Sequence, residues 1–376
     1  MTLPRRTTSL RRKAASAEIT DFGTVVLSSR VRLARNIAGE HFPDWSSPQA
    51  LKRVFVRASK AALAAGHDLG IELEAFRANA DEDLAGCLYE SHLISKDLMN
   101  RGDGAGILLP VPGQKRSDCL SIMINEEDHI RIQAFNGNYN LEATWKLADA
   151  FDSALEKYID YAFSKKQGYL TSCPSNLGTG MRASVMLTLP GLLVCNEFDS
   201  TCRAVDRLGF NVRGLNGENT STSSCIVQIS NRGTLGFSEK NVINRLKKVV
   251  DEVIRIENQA RLYAVRKAPV MLNDILGRSL SLLQYARVLQ SEEAINALSA
   301  VRLGVELGLI SRVTLAEIEG LSATCGYYAT RKELLLSGCP REQVDDPDVR
   351  DIFRSDLVRK IISRAKLTLL PEETER

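Results

Sequence analysis

A glycine-rich segment at residues 173–185 constrains this chain more than any other feature. It reads CPSNLGTGMRASV and places a cysteine and an arginine nine residues apart around a turn. Gly178 and Gly180 would allow the backbone to approach a ligand closely, and the short polar residues around them favour turns. Arg182 carries a planar guanidinium with five N–H donors, which matches the oxygens of a phosphate group. A thiol and a phosphate-binding cation on one loop indicate phosphoryl transfer.

Two earlier segments also combine arginines with strand-like or acidic patterns. In SSRVRLARN, which begins at residue 28, strand alternation would place Arg30 and Arg32 on the same face. In NEEDHIRIQ, which begins at residue 125, three adjacent carboxylates follow a β-prone run and Arg131 lies just beyond them. These segments would supply cations for a polyphosphate and carboxylates for a cationic substrate.

A later loop and a single histidine complete the set of candidates. The loop RGLNGE at residues 213–218 would deliver Arg213 and Glu218, and His92 lies in ESHLIS. Each candidate has a plainer interpretation when it is taken singly. Acidic runs are usually solvated turns, isolated arginines usually lie on the surface, and cysteines are often small buried apolar residues. Only their combination favours an active site.

Taken in chain order, the strings SSRVRLARN, NEEDHIRIQ, CPSNLGTGMRASV and RGLNGE resemble the signatures of the phosphagen (guanidino) kinases, which transfer the γ-phosphoryl group of ATP to a guanidinium nitrogen. The resemblance spans roughly residues 23–260. It implies that Glu127 and Glu218 bracket the guanidinium, with Cys173 beside it. It also implies that the substrate ATP, with Mg²⁺, is held by Ser28, Ser29, Arg30, Val31, Arg32, His92, Arg131, Arg182, Ala183, Ser184, Val185, Met186, Arg213, Gly214, Leu215, Asn216 and Gly217.

The chemistry of this reaction explains why such residues are needed. A guanidinium with a pKa above about 12 is a poor nucleophile, so a carboxylate must orient it and accept a proton. The γ-phosphoryl group passes through a loose transition state, which is stabilised mainly by positioning and by positive charge. A Cys173 thiolate would stabilise the substrate cation. We do not expect a covalent phosphoenzyme.

The ends of the chain favour one subgroup of this family. Only 27 residues precede SSRVRLARN, so we expect no counterpart of the all-helical domain that metabolic arginine and creatine kinases carry there. A segment with helical pattern, residues 268–376, follows the catalytic region instead. This layout resembles the bacterial protein arginine kinases, and so do the strings GYLTSC, QISN and SAVRLGVELGLI.

A short motif near the end adds a second site to this resemblance. RDIFRS is similar to the RDxxRA motif with which those kinases bind phosphoarginine, with serine where the motif has alanine. The resemblance implies an allosteric phosphoarginine site. Its residues would be Arg350, Asp351, Arg354 and Ser355.

Three functions stay open at this stage. The first is a protein arginine kinase that phosphorylates arginine-bearing proteins and marks them for a Clp unfoldase and protease, assisted by a small zinc-binding activator and assembled as a homodimer. The second is a kinase of free arginine or another small guanidino compound. The third is a phosphoarginine-binding regulator that has lost catalysis.

Composition excludes several other classes. A net charge of +3 gives no argument for nucleic-acid binding, and no apolar run approaches the roughly 18 residues of a membrane span. No apolar stretch follows the arginines of the first thirteen residues, so we expect neither a signal peptide nor an anchor there. We interpret residues 1–20 as a disordered basic arm. The eight cysteines show no CxxC pair and no metal-ligand spacing, so we expect no protein-bound metal and reduced thiols in a cytoplasm.

The predicted fold is α+β. From the family resemblance we expect a phosphagen-kinase-like (glutamine-synthetase-like) antiparallel sheet flanked by helices, in a catalytic domain at 21–267, followed by an all-helical domain at 268–376 for dimerisation. The boundary is placed near Ala268, and Ser291 is predicted as a helix N-cap. Sequence periodicity predicts helices over 47–66, 140–164 and 239–262, and strands over 119–124, 183–189, 208–214 and 225–230.

Overall fold

An eight-stranded antiparallel sheet forms the centre of the computed structural model. The model describes residues 24–78, 81–102, 104–113, 120–214 and 225–371. The strands within these residues are β1 (Val26–Arg35), β2 (Leu73–Arg77), β3 (Gly106–Pro110), β4 (Leu120–Ile124), β5 (Ile130–Asn136), β6 (Phe163–Ser164), β7 (Gly168–Tyr169), β8 (Met181–Thr188), β9 (Phe210–Gly214), β10 (Ile226–Asn231), β11 (Ile310–Ser311) and β12 (Lys366–Leu367). In the large sheet the order is β2-β3-β4-β5-β1-β8-β10-β9, and every neighbouring pair is antiparallel.

Two predicted features lie outside the described residues. These are the basic arm at 1–20 and the loop that carries Leu215, Asn216, Gly217 and Glu218.

Helices cover the sheet and continue beyond it toward the C-terminus. They are α1 (Pro48–Asp68), α2 (Glu82–Glu90), α3 (Lys96–Met99), α4 (Leu141–Leu155), α5 (Pro190–Val194), α6 (Phe198–Arg207), α7 (Glu239–Lys267), α8 (Pro269–Tyr285), α9 (Ser291–Glu306), α10 (Leu315–Thr324), α11 (Tyr327–Leu336) and α12 (Pro347–Ile362). Among the described residues, no helix is both long and apolar enough to cross a membrane. The predicted α+β class with a mostly antiparallel sheet is confirmed.

Alternation along β1 separates a core face from a polar face. Val31 and Leu33 are buried in the main apolar cluster, which lies between the sheet and the helices α1, α4 and α7. Arg30 and Arg32 point to the opposite face because successive side chains in a strand alternate. The sequence prediction that these two arginines share one face is confirmed.

Two smaller apolar clusters complete the packing. One, built on α2, α3 and the β3–β4 edge, covers the polar side of the sheet and includes Leu98, Ile107 and Met123. The other joins α8, α9, α10 and α12 and includes Leu276 and Val301. The polar face of the sheet is therefore covered at one edge and open at its centre.

Several predicted boundaries need correction. The predicted helix at 140–164 is too long: α4 ends at Leu155, and the chain then pairs with the segment after β1 through Ala38 N–H and the Asp160 carbonyl, 2.9 Å apart. Ser291 is the first residue of α9 and not its N-cap, which is Gln290 with no side-chain capping bond. The predicted strands and the other two helices lie within a few residues of the observed ones.

Candidate active site

The open part of the polar face is a cleft of about 810 Å³, which we call the arginine cleft. Its walls come from β1, β5, β8 and β9 and from the loops after α2 and before β8. The lining residues are Arg32, Ala34, Asp44, Ser95, Asp97, Asn100, Arg101, Glu126, Glu127, Arg131, Cys173, Ser175, Asn176, Gly180, Arg182 and Arg213. The structure thus brings together four of the five predicted phosphate-binding arginines with Glu127 and Cys173.

Two of these arginines stand directly opposite each other on neighbouring strands. Arg32 of β1 pairs with Arg182 of β8 in the antiparallel register. Like charges at such a position destabilise a sheet unless an anion lies between them. The Arg182 Nη2 group donates to Ser230 Oγ at 3.1 Å, whereas its buried Nε has no hydrogen-bond partner among the described residues. Arg182 therefore lines the cleft with donor capacity that the described residues do not use.

The positive charges depress one another's pKa values. Burial, followed by the charges of Arg182 and Arg131, lowers the pKa of Arg30 to about 10. The pKa of Arg32 falls well below its usual value for the same reason, burial first and then the charge of Arg30. Burial and the charge of Arg213 also lower the pKa of Arg182. A polyanion bound here would relieve this repulsion, so the cleft is suited to a polyphosphate.

Carboxylates from the turn between β4 and β5 balance part of this charge. Arg131 donates from Nη1 to Glu126 at 2.7 Å and from Nη2 to Glu127 at 2.8 Å. Glu126 is buried and also accepts a hydrogen bond from Ser95 at 2.6 Å. The side chain of Glu127 is 36% exposed, so this carboxylate can reach a substrate. Glu126 instead forms its hydrogen bonds within the protein.

Glu127 has the environment expected of a proton acceptor. Burial raises its pKa above the usual value, and the charge of Arg131 opposes that rise. A hydrogen bond from Cys173 also lowers the pKa of this carboxyl. Asn176 Nδ2 lies 3.5 Å from Glu127, and Cys173 Sγ lies 3.0 Å from Ser175 Oγ. The carboxylate and the thiol therefore face the same small volume, where a guanidinium would contact both.

The glycine turn before β8 shapes this wall of the cleft. Gly178 has a φ of +108°, and a Cβ there would lie 2.9 Å from the Leu235 Cα. Gly180 has a φ of +64°, and a Cβ there would lie 2.6 Å from the Ala34 carbonyl. These glycines therefore allow the loop to pack closely against the backbone at Leu235 and Ala34. The expected close approach to a ligand applies only to Gly180, which lines the cleft.

His92 lies beside the cleft in a conformation unusual for a histidine. Its φ is +58°, and its carbonyl accepts hydrogen bonds from Gln133 at 2.9 Å and from Arg30 at 3.5 Å. Desolvation and then the charges of Arg30 and Arg32 lower its pKa to about 4. The imidazole is therefore neutral at physiological pH and does not add to the positive charge.

The remaining predicted nucleotide contacts differ in where their side chains lie. Ser184 and Met186 lie on the polar face of β8, whereas the side chains of Val31, Ala183 and Val185 are buried in the core on the other face. That second group could reach a ligand only through backbone atoms. Ser29 is buried and donates to the Asn138 carbonyl at 2.9 Å, while Ser28 and Gly214 are partly exposed.

Sequence reasoning missed two buried polar groups that hold the site together. Arg35 forms an ion pair with Asp152 at 2.6 Å beneath the sheet, and its Nη1 donates to the Thr179 carbonyl at 3.0 Å. A signal was present, because Arg35 has the same strand parity as the core residues and a core-facing charge requires a partner.

The second group connects the acidic turn between β4 and β5 to the loop before β8 that carries Cys173. Asp128 Oδ1 accepts from Asn36 Nδ2 and from the Ser172 amide, both at 2.7 Å. Asn36 Oδ1 in turn accepts from the His129 amide at 2.9 Å. Because Asp128 follows Glu127 and Ser172 precedes Cys173, this network sets the separation of the carboxylate and the thiol.

The RDIFRS motif lies on α12, and its polar groups have partners within the protein. Arg354 is buried and donates to the carbonyls of Cys325 at 2.8 Å and Leu289 at 2.7 Å, and it forms an ion pair with Asp351. Arg350 donates to the Val344 carbonyl at 2.9 Å and lies 4.4 Å from the Tyr327 ring centroid. Ser355 Oγ donates to the Ala286 carbonyl at 2.8 Å.

A basic cleft that also holds a neighbouring carboxylate and thiol fits a phosphotransferase acting on a cationic acceptor, and comparison with known families agrees. A family model described as the ATP:guanido phosphotransferase C-terminal catalytic domain matches residues 56–260. The chain belongs to this family and is a guanidino phosphotransferase. A second model, described as the protein-arginine kinase McsB C-terminal domain, matches residues 269–373.

Individual relatives show which members of the family the chain is similar to. It is 38% identical over 339 residues to a protein-arginine kinase of Pelotomaculum thermopropionicum, covering 89% of this chain and 92% of that protein. It is also 38% identical over 298 residues to a protein-arginine kinase of Clostridium acetobutylicum, covering 79% and 86%. The resemblance predicted from the sequence motifs is confirmed.

Solved structures agree on the fold. A lombricine kinase structure matches with a TM-score of 0.52 and 25% identity, covering 65% of this chain and 70% of that one. The substrate-free duplicated taurocyamine kinase of Schistosoma mansoni matches with a TM-score of 0.54 and 24% identity, covering 75% and 41%.

Proposed function

We propose that this protein is an ATP-dependent protein arginine kinase. The observation that carries the proposal is the convergence of Arg32, Arg131, Arg182 and Arg213 with Glu127 on one cleft. The arginines would hold the phosphates, and Glu127 would orient the acceptor guanidinium and take its proton. The relatives named as protein-arginine kinases support proteins as the acceptor.

Mg²⁺ would enter this cleft on the phosphates of ATP. The ion commonly binds through substrate phosphates and keeps several waters, and Glu126 and Glu127 both pair with Arg131. These residues therefore fit an ion held mainly by the nucleotide. When bound, Mg²⁺ would neutralise charge developing on the transferred group.

Glu218 would supply a second carboxylate, beside Glu127, to the acceptor guanidinium.

One experiment separates the three functions that the sequence left open. The protein is incubated with ATP and either free arginine or an arginine-rich protein, and acid-labile phosphate is measured on each acceptor. We expect phosphate on the protein. Labelling of free arginine alone would establish a small-molecule kinase, and the absence of transfer to both acceptors would leave a binding protein without catalysis.

Replacing Arg182 with lysine should impair turnover far more than folding. Lysine keeps the charge but loses the planar guanidinium and its paired N–H donors. We expect kcat/KM for ATP to fall by about 10²-fold, which is the loss caused when a bound reactant is misplaced by about 1 Å. Thermal unfolding should change little. Arg207→Lys, at an exposed position on α6, is the matched control. A large loss of folded protein in Arg182→Lys would instead assign this residue a structural role.

We propose the biological setting from the similarity to the protein-arginine kinases. Phosphorylated proteins would be recognised by a Clp unfoldase and protease in the cytoplasm, with a small zinc-binding activator assisting the kinase. The helical segment from 268 onward would form the homodimer contact. Co-purification with such partners and the mass of the particle in solution would test these points.

We also propose that Arg350, Asp351, Arg354 and Ser355 form an allosteric phosphoarginine site. Because Asp351 already pairs with Arg354, the ligand would have to share or displace that ion pair. The double change Arg350→Ala and Asp351→Ala should weaken phosphoarginine binding about tenfold or more, since charge-assisted contacts are lost. Calorimetric titration with free phosphoarginine measures this, with Arg359→Ala on the same helix as control. Unchanged affinity in a folded double variant would contradict the assignment.

A further inference from the structure

A helix of the C-terminal segment is capped by a residue of the catalytic region. The helix α11 begins at Tyr327, and its N-cap, Gly326, supplies no side-chain hydrogen bond. Glu90, the last residue of α2, takes that place: its Oε1 accepts from the Tyr328 amide at 2.9 Å, and its Oε2 accepts from the Ala329 amide at 2.8 Å. A carboxylate is favoured at this position because the first amides of a helix are unsatisfied and its N-terminus is positive.

Close packing fixes the two helices at this contact, which we call the α2–α11 joint. A Cβ at Gly86 would lie 2.0 Å from the Tyr328 ring, so the ring packs directly on the α2 backbone. Asp83 forms ion pairs with Arg331 at 2.7 Å and with Arg341 at 3.3 Å. The joint therefore combines a charged cap, a ring-on-backbone contact and two ion pairs.

The joint ends one residue from a segment that is bonded to the arginine cleft. After Ser91 the chain turns at His92, whose carbonyl accepts from Gln133 and Arg30. Three residues later, Ser95 donates to Glu126 at 2.6 Å, and Glu126 pairs with Arg131. A displacement of α2 would therefore move groups that hold two of the predicted phosphate-binding arginines.

We infer that Glu90 is a positioning residue for the nucleotide. By capping α11 it fixes α2, and α2 fixes the His92 segment against Arg30 and Glu126. The C-terminal segment thereby contributes to nucleotide affinity, although no described residue beyond 268 lines the cleft. This inference rests on the proposed function in that ATP is taken to occupy the arginine cleft.

Steady-state kinetics of Glu90→Ala and Glu90→Gln test the inference, with Glu82→Gln as control at an exposed position in the first turn of α2. We expect KM for ATP to rise about tenfold in Glu90→Ala, as for the loss of a charge-assisted cap contact, and less in Glu90→Gln, whose amide oxygen can still accept one hydrogen bond. The value of kcat should stay within about twofold, because Glu90 touches no reacting atom. Glu82→Gln should match the wild type.

Hydrogen exchange supplies a readout that follows the His92 segment directly. The amides of His92 and Leu93 donate to the carbonyls of Tyr89 and Leu88, both at 2.9 Å, and should exchange faster in Glu90→Ala. Unchanged KM for ATP, with or without faster exchange, would overturn the inference and leave the joint a structural contact. If Glu90→Ala does not fold, Glu90→Gln gives the same comparison. Failure of the wild type to bind ATP in a titration would refute the proposed function itself, and the inference with it.

Discussion

Replacing Glu127 with glutamine should reduce kcat by about 10²–10⁴-fold, the usual loss when a general base is removed. The amide keeps the shape of the side chain and can still contact Arg131, but it cannot accept a proton or neutralise a guanidinium. Burial raises the pKa of Glu127, which brings its basicity closer to that needed at neutral pH. Rates of acid-labile phosphate transfer to an arginine-bearing protein measure the effect.

The control for this prediction is Glu142→Gln on α4. Glu142 is exposed and pairs with Lys146 at 2.9 Å, away from the cleft. That variant should retain wild-type rates. ATP affinity of Glu127→Gln, measured by titration, should change little, because the phosphates are held by arginines. Turnover of Glu127→Gln within threefold of the wild type would show that another group accepts the proton.

Much of the cleft could be predicted because strand alternation is a local property. The parity of Arg30 and Arg32 in β1, and of Arg182 in β8, follows from the apolar residues between them. The neighbours of each strand do not follow from parity. That β1 lies between β5 and β8, and so places Arg32 opposite Arg182, is a property of the sheet topology.

The acidic turn shows why side-chain roles are harder to predict than element types. By residue type, Glu126, Glu127 and Asp128 are similar neighbours, and only the family resemblance singled out Glu127. In the structure, Asn125 has a φ of +57°, and the turn sends Glu126 and Asp128 into buried hydrogen bonds while Glu127 faces the cleft. The direction of each carboxylate depends on partners distant in sequence, such as Ser95, and no local pattern encodes them.

The largest effect on stability is expected from Arg261→Met on α7. Arg261 is fully buried and forms ion pairs with Glu257 at 2.6 Å and with Glu306 of α9 at 2.8 Å. Methionine would fill much of the volume but leave two buried carboxylates without this cation. Removing one partner of a buried ion pair costs about 3–5 kcal/mol. Urea unfolding of the full chain should show a loss of this size.

The matched control is Arg255→Met on the same helix. Arg255 is exposed and pairs with Glu252 at 2.6 Å, so its loss should change the free energy of unfolding far less than the loss of Arg261. Equal effects of the two substitutions would show that burial of the ion pair is unimportant. Kinase activity of Arg261→Met is not the readout, because α9 and α7 meet away from the cleft.

The deficit of Arg261→Met should also depend on pH. Burial already raises the pKa of Glu257 in the wild type, and Arg261 opposes that rise, so its removal raises the pKa further. A carboxyl whose pKa is higher in the folded state stabilises the fold at low pH, and this contribution disappears as pH rises through the folded pKa. The deficit should therefore shrink between pH 8 and pH 5, as Glu257 takes up a proton in the folded variant. Adding Glu257→Gln should flatten this dependence, whereas a deficit constant across that range would mean that Glu257 stays ionised in the folded variant.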